Sequence, residues 1–334
     1  MSWMNKRQAI KIIGGIAAAA AILPAAWAQT FPTKPVTLVV PYAPGGGSDI
    51  MARALAVRMA DDLGQPVIVE NIAGATGLIA AQRVLNKPAD GLQIYVGSPN
   101  ELILGPLATP SPRFKSEDFQ MIGKIGDFTL AIISRGGLPP NNLKELADYA
   151  SQRAREGAPL TYGSVGPGSM YHLLGEKYAQ LTKANMIHVG YKGGTPMTVD
   201  LIGGQIDLYF GAMGATSTPL VTNGSGKLKM LGIISPERLD IFKNVPAANS
   251  ADQLKDFTYS LWLGLFVKKG TPDNIIQALH TALDKALLDP AAKKAANTLQ
   301  VVLAQPQTKS QADQLYQEST TQYRAVFQSI GFKP

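Results

Sequence analysis

The chain has 334 residues, 46% of them hydrophobic and only 16% charged. That is too long for one small module and apolar enough to bury two cores. The formal charge is +7, but no run of five like charges and no basic–aromatic alternation occurs, which excludes a nucleic-acid-binding surface. The lack of cysteine excludes disulfides, thiolate metal sites and a lipid-bearing cysteine.

Residues 1–28 predict a secretory signal. Lys6, Arg7 and Lys11 precede the apolar run Ile12–Leu23, and Ala26-Trp27-Ala28 offers small residues to a signal peptidase. The run is too short to span a bilayer. Cleavage would leave Gln29 first, with 28 basic against 24 acidic residues. The small positive excess suits attraction of small anions.

Val36-Thr37-Leu38-Val39-Val40 reads as a first strand, nearly continuous in β-branched or apolar residues, as in a sheet covered on both faces. The turn Ala43-Pro44-Gly45-Gly46-Gly47-Ser48-Asp49 leads into a helix over 50–63, with Ile50, Ala54, Val57 and Leu63 on one face and Gly64 as its stop. A second strand at 67–70, a second glycine turn at 74–77, a helix at 78–85 and a third strand at 93–97 follow, the last ending at Ser98-Pro99-Asn100. The same grammar returns. A strand at 160–162 meets the turn Gly163–Ser169 and a helix at 170–181. A strand at 186–189, a loop at 191–196, a helix at 197–202 and a strand at 205–210 complete it. Gly74 follows Gly47 by 27 positions, and Gly193 follows Gly166 by 27. Two α/β lobes on one plan are therefore expected, each a mainly parallel sheet flanked by helices.

The runs at 130–133 and 263–267 are placed to carry the chain between lobes, and the tail from Thr271 reads as helical, with Leu279, Leu283 and Leu287 on one face. Two crossings make a two-strand hinge. Residues 29–129 with 256–334 form one predicted lobe and residues 130–255 the other.

A strand, glycine turn and helix expose free backbone N–H groups beside the positive end of the helix dipole, an anion site that needs no charged side chain. Glycine also lets a ligand approach the backbone. Two such turns across a cleft, Pro44–Asp49 and Gly166–Ser169, would hold an anion at each end. Asp49 reads as a helix-start acid or as an organiser of its turn. Ser48, Ser98, Ser164 and Ser169 read as helix caps or as ligand donors. Tyr42 borders the first turn and could touch the carbon body of a ligand. Tyr209, Phe210 and Trp262 read as core. Lys192 could pair with an anion. His188 and His280 read as structural, His172 as a helix-surface or cleft residue, and the three lie too far apart in sequence for a metal-ligand spacing.

Phe31 to Asp49 resembles the opening of mature solute-binding proteins of the tripartite tricarboxylate transporter family, also called the Bug family. Val69-Glu70-Asn71 with Gly74–Gly77, Gly163–Ser169 with His172-Leu173, Val189–Gly193 and Gly203–Asp207 resemble its later motifs in order. The chain departs from the family at Ile72-Ala73, where a basic residue and proline are usual, and at Thr76 and Leu78, where glycine and asparagine are frequent. The resemblance implies the two-lobe periplasmic binding protein fold and a periplasmic monomer that closes on a small organic carboxylate, with no cofactor. It implies delivery of the ligand to a membrane permease with a large and a small subunit. The ligand set it implies, with the turns above, is Tyr42, Ala43, Gly45, Gly46, Gly47, Ser48, Asp49, Ala75, Thr76, Ser98, Asn100, Ser164, Gly168, Ser169, Lys192 and Asp207.

Rival classes fit less well. A dinucleotide-binding enzyme needs a third glycine where Ile50 stands, and a serine hydrolase elbow needs glycine where Tyr162 stands. A carboxylate co-sensor for a membrane kinase would use the same clamp as a transport protein.

Overall fold

The computed structural model describes residues 31–236 and 240–332. The predicted signal segment lies outside the described residues. Strand β1 (Val36–Val40) is buried along most of its length and runs parallel to β2 (Val67–Asn71) on one side and β3 (Gln93–Gly97) on the other. Helices α1 (Gly47–Leu63) and α2 (Leu78–Leu85) make the crossovers. β4 (Phe119–Phe128), β10 (Leu261–Lys268) and β11 (Val301–Leu303) extend the sheet to the order β11-β4-β10-β3-β1-β2.

The second sheet repeats the plan. β6 (Leu160–Ser164) lies parallel between β7 (Met186–Gly190) and β8 (Leu208–Ala212), linked by α4 (Met170–Thr182) and α5 (Gly194–Ile202), which follow α3 (Leu143–Arg155) in the chain. β5 (Leu130–Arg135) and β9 (Leu228–Ile233) complete the order β7-β6-β8-β5-β9. In both lobes the first strand of the parallel set is the central one. The two-lobe α/β architecture is thus as expected, with one correction. Among the described residues each sheet has only two parallel pairings, and β4, β5, β9, β10 and β11 pair antiparallel. Those are the strands around the crossings. Thr129 alone separates β4 from β5, so the chain leaves one sheet and enters the next without a helix between.

Helix α1 buries Met51, Leu55 and Met59 with Ala52 and Ala56 between them, whereas Val57 is 68% exposed. The stripe expected at Ile50, Ala54 and Val57 is therefore displaced by one residue, because the methionines supply the apolar face. The helix begins at Gly47, inside the turn read from sequence. β4 escapes the sequence reading because Gly123, Lys124, Gly126 and Asp127 break its alternation. Gly126 is required there, since a Cβ would lie 2.5 Å from the Val302 carbonyl of β11. After α6 (Ser217–Thr222), α7 (Asp273–Leu287) in the tail buries Leu279, Leu283 and Leu287 as predicted, α8 (Pro290–Leu299) follows it, and α9 (Lys309–Ile330) starts on a Thr308–Gln311 capping box.

Candidate ligand-binding site

The carboxyl ends of the parallel strands of both sheets point into one cleft, the usual ligand position in open α/β folds. The lobes meet across it. The Ala43 amide donates to the Lys192 carbonyl at 3.2 Å. The Thr76 hydroxyl donates to the Pro167 carbonyl at 3.0 Å, and the Met170 amide to Asn100 Oδ1 at 2.8 Å. Gly168 packs so close to Ala108 that a Cβ on it would lie 1.9 Å from the alanine methyl.

Between these contacts lies a cavity with about 70 Å³ open to the centres of water molecules. From the first lobe it is walled by Tyr42, Gly45–Ser48, Ser98, Asn100 and Phe128. From the second it is walled by the start of α5 at Gly194–Thr195, by Thr198, by Tyr171 and Tyr209, and by the segment 212–216 after β8. Among the described residues, no Lys, Arg, His, Asp or Glu lines it. Two helices, α1 and α5, thus start at its wall from opposite lobes, with first-turn amides that lack carbonyl partners within their own helices.

The first turn is held open from behind. Asp49, 3% exposed, accepts from the Gly45 amide at 2.9 Å and from Arg53 Nε at 3.0 Å. Arg53 continues to Asn71, whose side-chain amide donates to the Tyr42 carbonyl at 3.1 Å. Burial pushes the Asp49 carboxyl up, but the hydrogen bonds from Arg53 and Gly45 outweigh it and hold the carboxyl below its ordinary value. Asp49 therefore organises the turn and consumes the Gly45 N–H. Gly45 adopts φ +80, which favours glycine, and Gly47 lies where a Cβ would meet the Phe128 ring at 2.9 Å. Gly46 has room for a side chain, its nearest neighbour being the Ala43 carbonyl at 3.6 Å.

Of the matching turn of the second lobe, Gly163–Ser169, only Val165 lines this cavity among the described residues. The Ser164 hydroxyl accepts from the Gly166 amide at 3.0 Å and lies 2.6 Å from His188 Nε2. The Gly168 amide donates to His172 Nδ1 at 3.0 Å, and Ser169 caps α4. The rings of His172 and His188 stack at 3.7 Å. Burial pushes both imidazoles down to about 4, helped at His188 by the charge of its partner. Ala75 and Thr76 sit at φ 46 and 50, both left-handed, and wall a neighbouring hollow with Gly166, Pro167 and Lys192. Asp207 lies in the second lobe, paired with Arg135 at 2.9 Å and with the Thr161 amide at 2.9 Å.

The structure therefore gathers Tyr42, Gly45, Gly46, Gly47, Ser48, Ser98 and Asn100 at the cavity. Ala75, Thr76 and Lys192 stand at the adjacent hollow. Ala43, Gly168 and Thr76 make contacts between lobes, while Asp49, Ser164, Ser169 and Asp207 support turns. The sequence reading misses Thr195, Thr198, Tyr171 and the segment 212–216. Pro196 carried a signal, because proline in a first helical turn marks a start at Gly194. His280 is structural, its ring nitrogens 2.7 Å from the Ile122 carbonyl and 2.6 Å from that of Gln307.

Comparison with known proteins agrees with this geometry. Residues 51–332 match the tripartite tricarboxylate transporter family receptor. The chain is 33% identical over 296 residues to Protein BugT of Bordetella pertussis, covering 87% of this chain and 88% of that one. MatC of Rhodopseudomonas palustris with bound malate superposes with a TM-score of 0.81 at 29% identity, over 89% of this chain and 100% of that one. A second R. palustris protein, with adipate, gives 0.83 at 26% identity, over 91% and 99%.

Proposed function

Because the chain belongs to the tripartite tricarboxylate transporter receptor family, we propose that it is a periplasmic solute-binding protein that captures a small organic dicarboxylate. It passes the ligand to a membrane permease built from a large and a small subunit. One observation carries this reading: two helix starts, at Gly47 and Gly194, face a single cavity that no charged side chain among the described residues lines. Paired backbone donors at opposite walls suit a molecule with an anion at each end. Tyr42, Tyr171, Tyr209 and Met197 supply the apolar surface for its carbon body. Malate and adipate, held by the two similar structures, are both diacids.

Residues 29–129 with 256–334 act as one jaw and residues 130–255 as the other. The hinge lies where β4 passes into β5 and where the chain returns from β9 to β10. No helix among the described residues is long and apolar enough to cross a membrane.

The test is a thermal-shift panel of aliphatic and aromatic mono-, di- and tricarboxylates on protein stripped of copurified ligand. A ligand at 100 times its Kd stabilises the fold by about 2.7 kcal/mol. Diacids should shift the melting temperature and be recovered unchanged, and monoacids of equal length should shift it less. A panel with no shift from any carboxylate would overturn the reading.

A further inference from the structure

Glu101 is 1% exposed in the single wide turn Asn100–Leu104 after β3, directly behind Ser98 and Asn100 in the cavity wall. Its Oε2 accepts from the Ser98 amide at 2.6 Å and from the Ser98 hydroxyl at 2.8 Å. The same hydroxyl accepts from the Asn100 amide at 3.2 Å. The Ser98 proton is therefore turned toward Glu101, and the free donor that Asn100 brings to the cavity is its side-chain NH2, since Oδ1 serves Met170. Oε1 of Glu101 and the Tyr42 hydroxyl are both buried and act on each other, and among the described residues neither has a further partner. Gly77 closes the far side, where a Cβ would lie 2.4 Å from Glu101 Cγ.

Glu101 makes no ion pair among the described residues, and the titratable groups acting on it are the phenols of Tyr42, Tyr95 and Tyr171. Burial with no cation at hand favours the neutral acid and, against the hydrogen bonds from Tyr42 and Ser98, pushes the carboxyl up to about 7. A carboxylate entering the cavity brings a like charge next to the residues Glu101 holds. In a low-dielectric wall that repulsion favours the neutral acid further.

We propose that Glu101 is a positioning residue that gains a proton at Oε1 when a carboxylate ligand is captured, so that binding takes up as much as one proton from solvent. The inference rests on the carboxylate reading above. The added proton lies on Oε1 beside the Tyr42 hydroxyl, which donates to the ionised carboxyl and can accept from the neutral one. Oε2 keeps both Ser98 hydrogen bonds, so the wall retains its shape in either state. The linkage has a definite sign: the carboxyl titrates near 7 in the free protein and higher in the complex, so affinity falls as pH rises above about 7.

The experiment is calorimetric titration of the purified protein at pH 7.5 with malate and adipate, or with whichever panel carboxylate binds. It is run in phosphate and in Tris, buffers with very different heats of ionisation. The wild type should show heats that differ between buffers in the sense of proton uptake. Its Kd should weaken above pH 7 by at most about tenfold per pH unit. Glu101→Gln keeps an acceptor for Ser98 and a donor for Tyr42, so it should bind with no uptake and a flat profile. Equal heats in both buffers for the wild type, or uptake that persists in Glu101→Gln, would sink the proposal. If the variant does not fold, the wild-type buffer pair decides alone. Binding without proton uptake refutes only the role of Glu101, whereas no binding by any carboxylate refutes the functional reading on which it stands.

Discussion

The turns Gly45–Asp49 and Gly166–Ser169 each follow the central strand of the same strand–helix–strand path, one in each lobe, yet their uses differ. The first is braced from behind by Asp49, Arg53 and Asn71, which leaves the next helix to begin at the cavity wall. The second is tied inward by Ser164, His172 and Ser169, and its outer edge seats against Thr76 and Ala108 of the other lobe. A shared topology duplicates positions, and the side chains around each turn decide whether its amides are spare. Where they are spent on the protein's own groups, the turn becomes a contact between the lobes.

The contact between the lobes is the easier of the two to break. Gly168→Ala places a methyl on Ala108 across the lobes and also strains φ +71. Overpacking of this kind costs about 1–3 kcal/mol, so the ligand Kd should weaken by roughly 5- to 150-fold. Calorimetry on the single variant and on Gly168→Ala with Ala108→Gly separates the two causes: only the clash is relieved by the second change. Unaltered affinity in Gly168→Ala would show that the lobes do not close on this contact.

Acid should then loosen the second turn before the first. His172 Nδ1 accepts the Gly168 N–H, so protonation there sets donor against donor. Both imidazoles titrate at about 4, below the ordinary 6.5. The stability that depends on their being neutral is present above about 6.5 and is lost as pH falls through about 4. The Asp49 brace, with its carboxyl already held low, persists until lower pH. Urea melts should lose about 1–2 kcal/mol between pH 7 and pH 4.5, and His172→Asn should flatten part of that slope. A slope unchanged in the variant would assign the loss elsewhere.

The smallest effects sharpen the picture of the first turn. Gly47→Ala meets the Phe128 ring and should weaken binding by about 1 kcal/mol, roughly fivefold. Gly46→Ala has room for its methyl and should do less. Lys192→Ala should leave the Kd within about twofold, because the contact from residue 192 across the lobes is its carbonyl. A large loss in Lys192→Ala alongside a silent Gly47→Ala would mean that charge, not backbone approach, holds the ligand.

Much of this was legible in the residues. The strands at 36–40 and 93–97, the glycine punctuation and the leucine face of α7 follow from local pattern. β4 was not legible, because its Gly126 answers to the backbone of β11 more than 170 positions away. Gly46 and Gly47 look equivalent in sequence, and only the Phe128 ring distinguishes them. Lys192 and Asp207 attract attention as charges, yet the first contributes its carbonyl and the second an internal ion pair. The partner of Glu101 was equally hidden, since Tyr42 reaches it from another strand end.

By itself the sequence determined a repeated strand–glycine turn–helix unit and its two copies, because propensity, φ freedom and hydrophobic period act over a few residues. Only the tertiary structure decided which amides are left free, which turn lines the cavity and which seats against the other lobe. A hydrogen bond or a steric stop needs a partner, and here the partners come from the other lobe or from strands far along the chain.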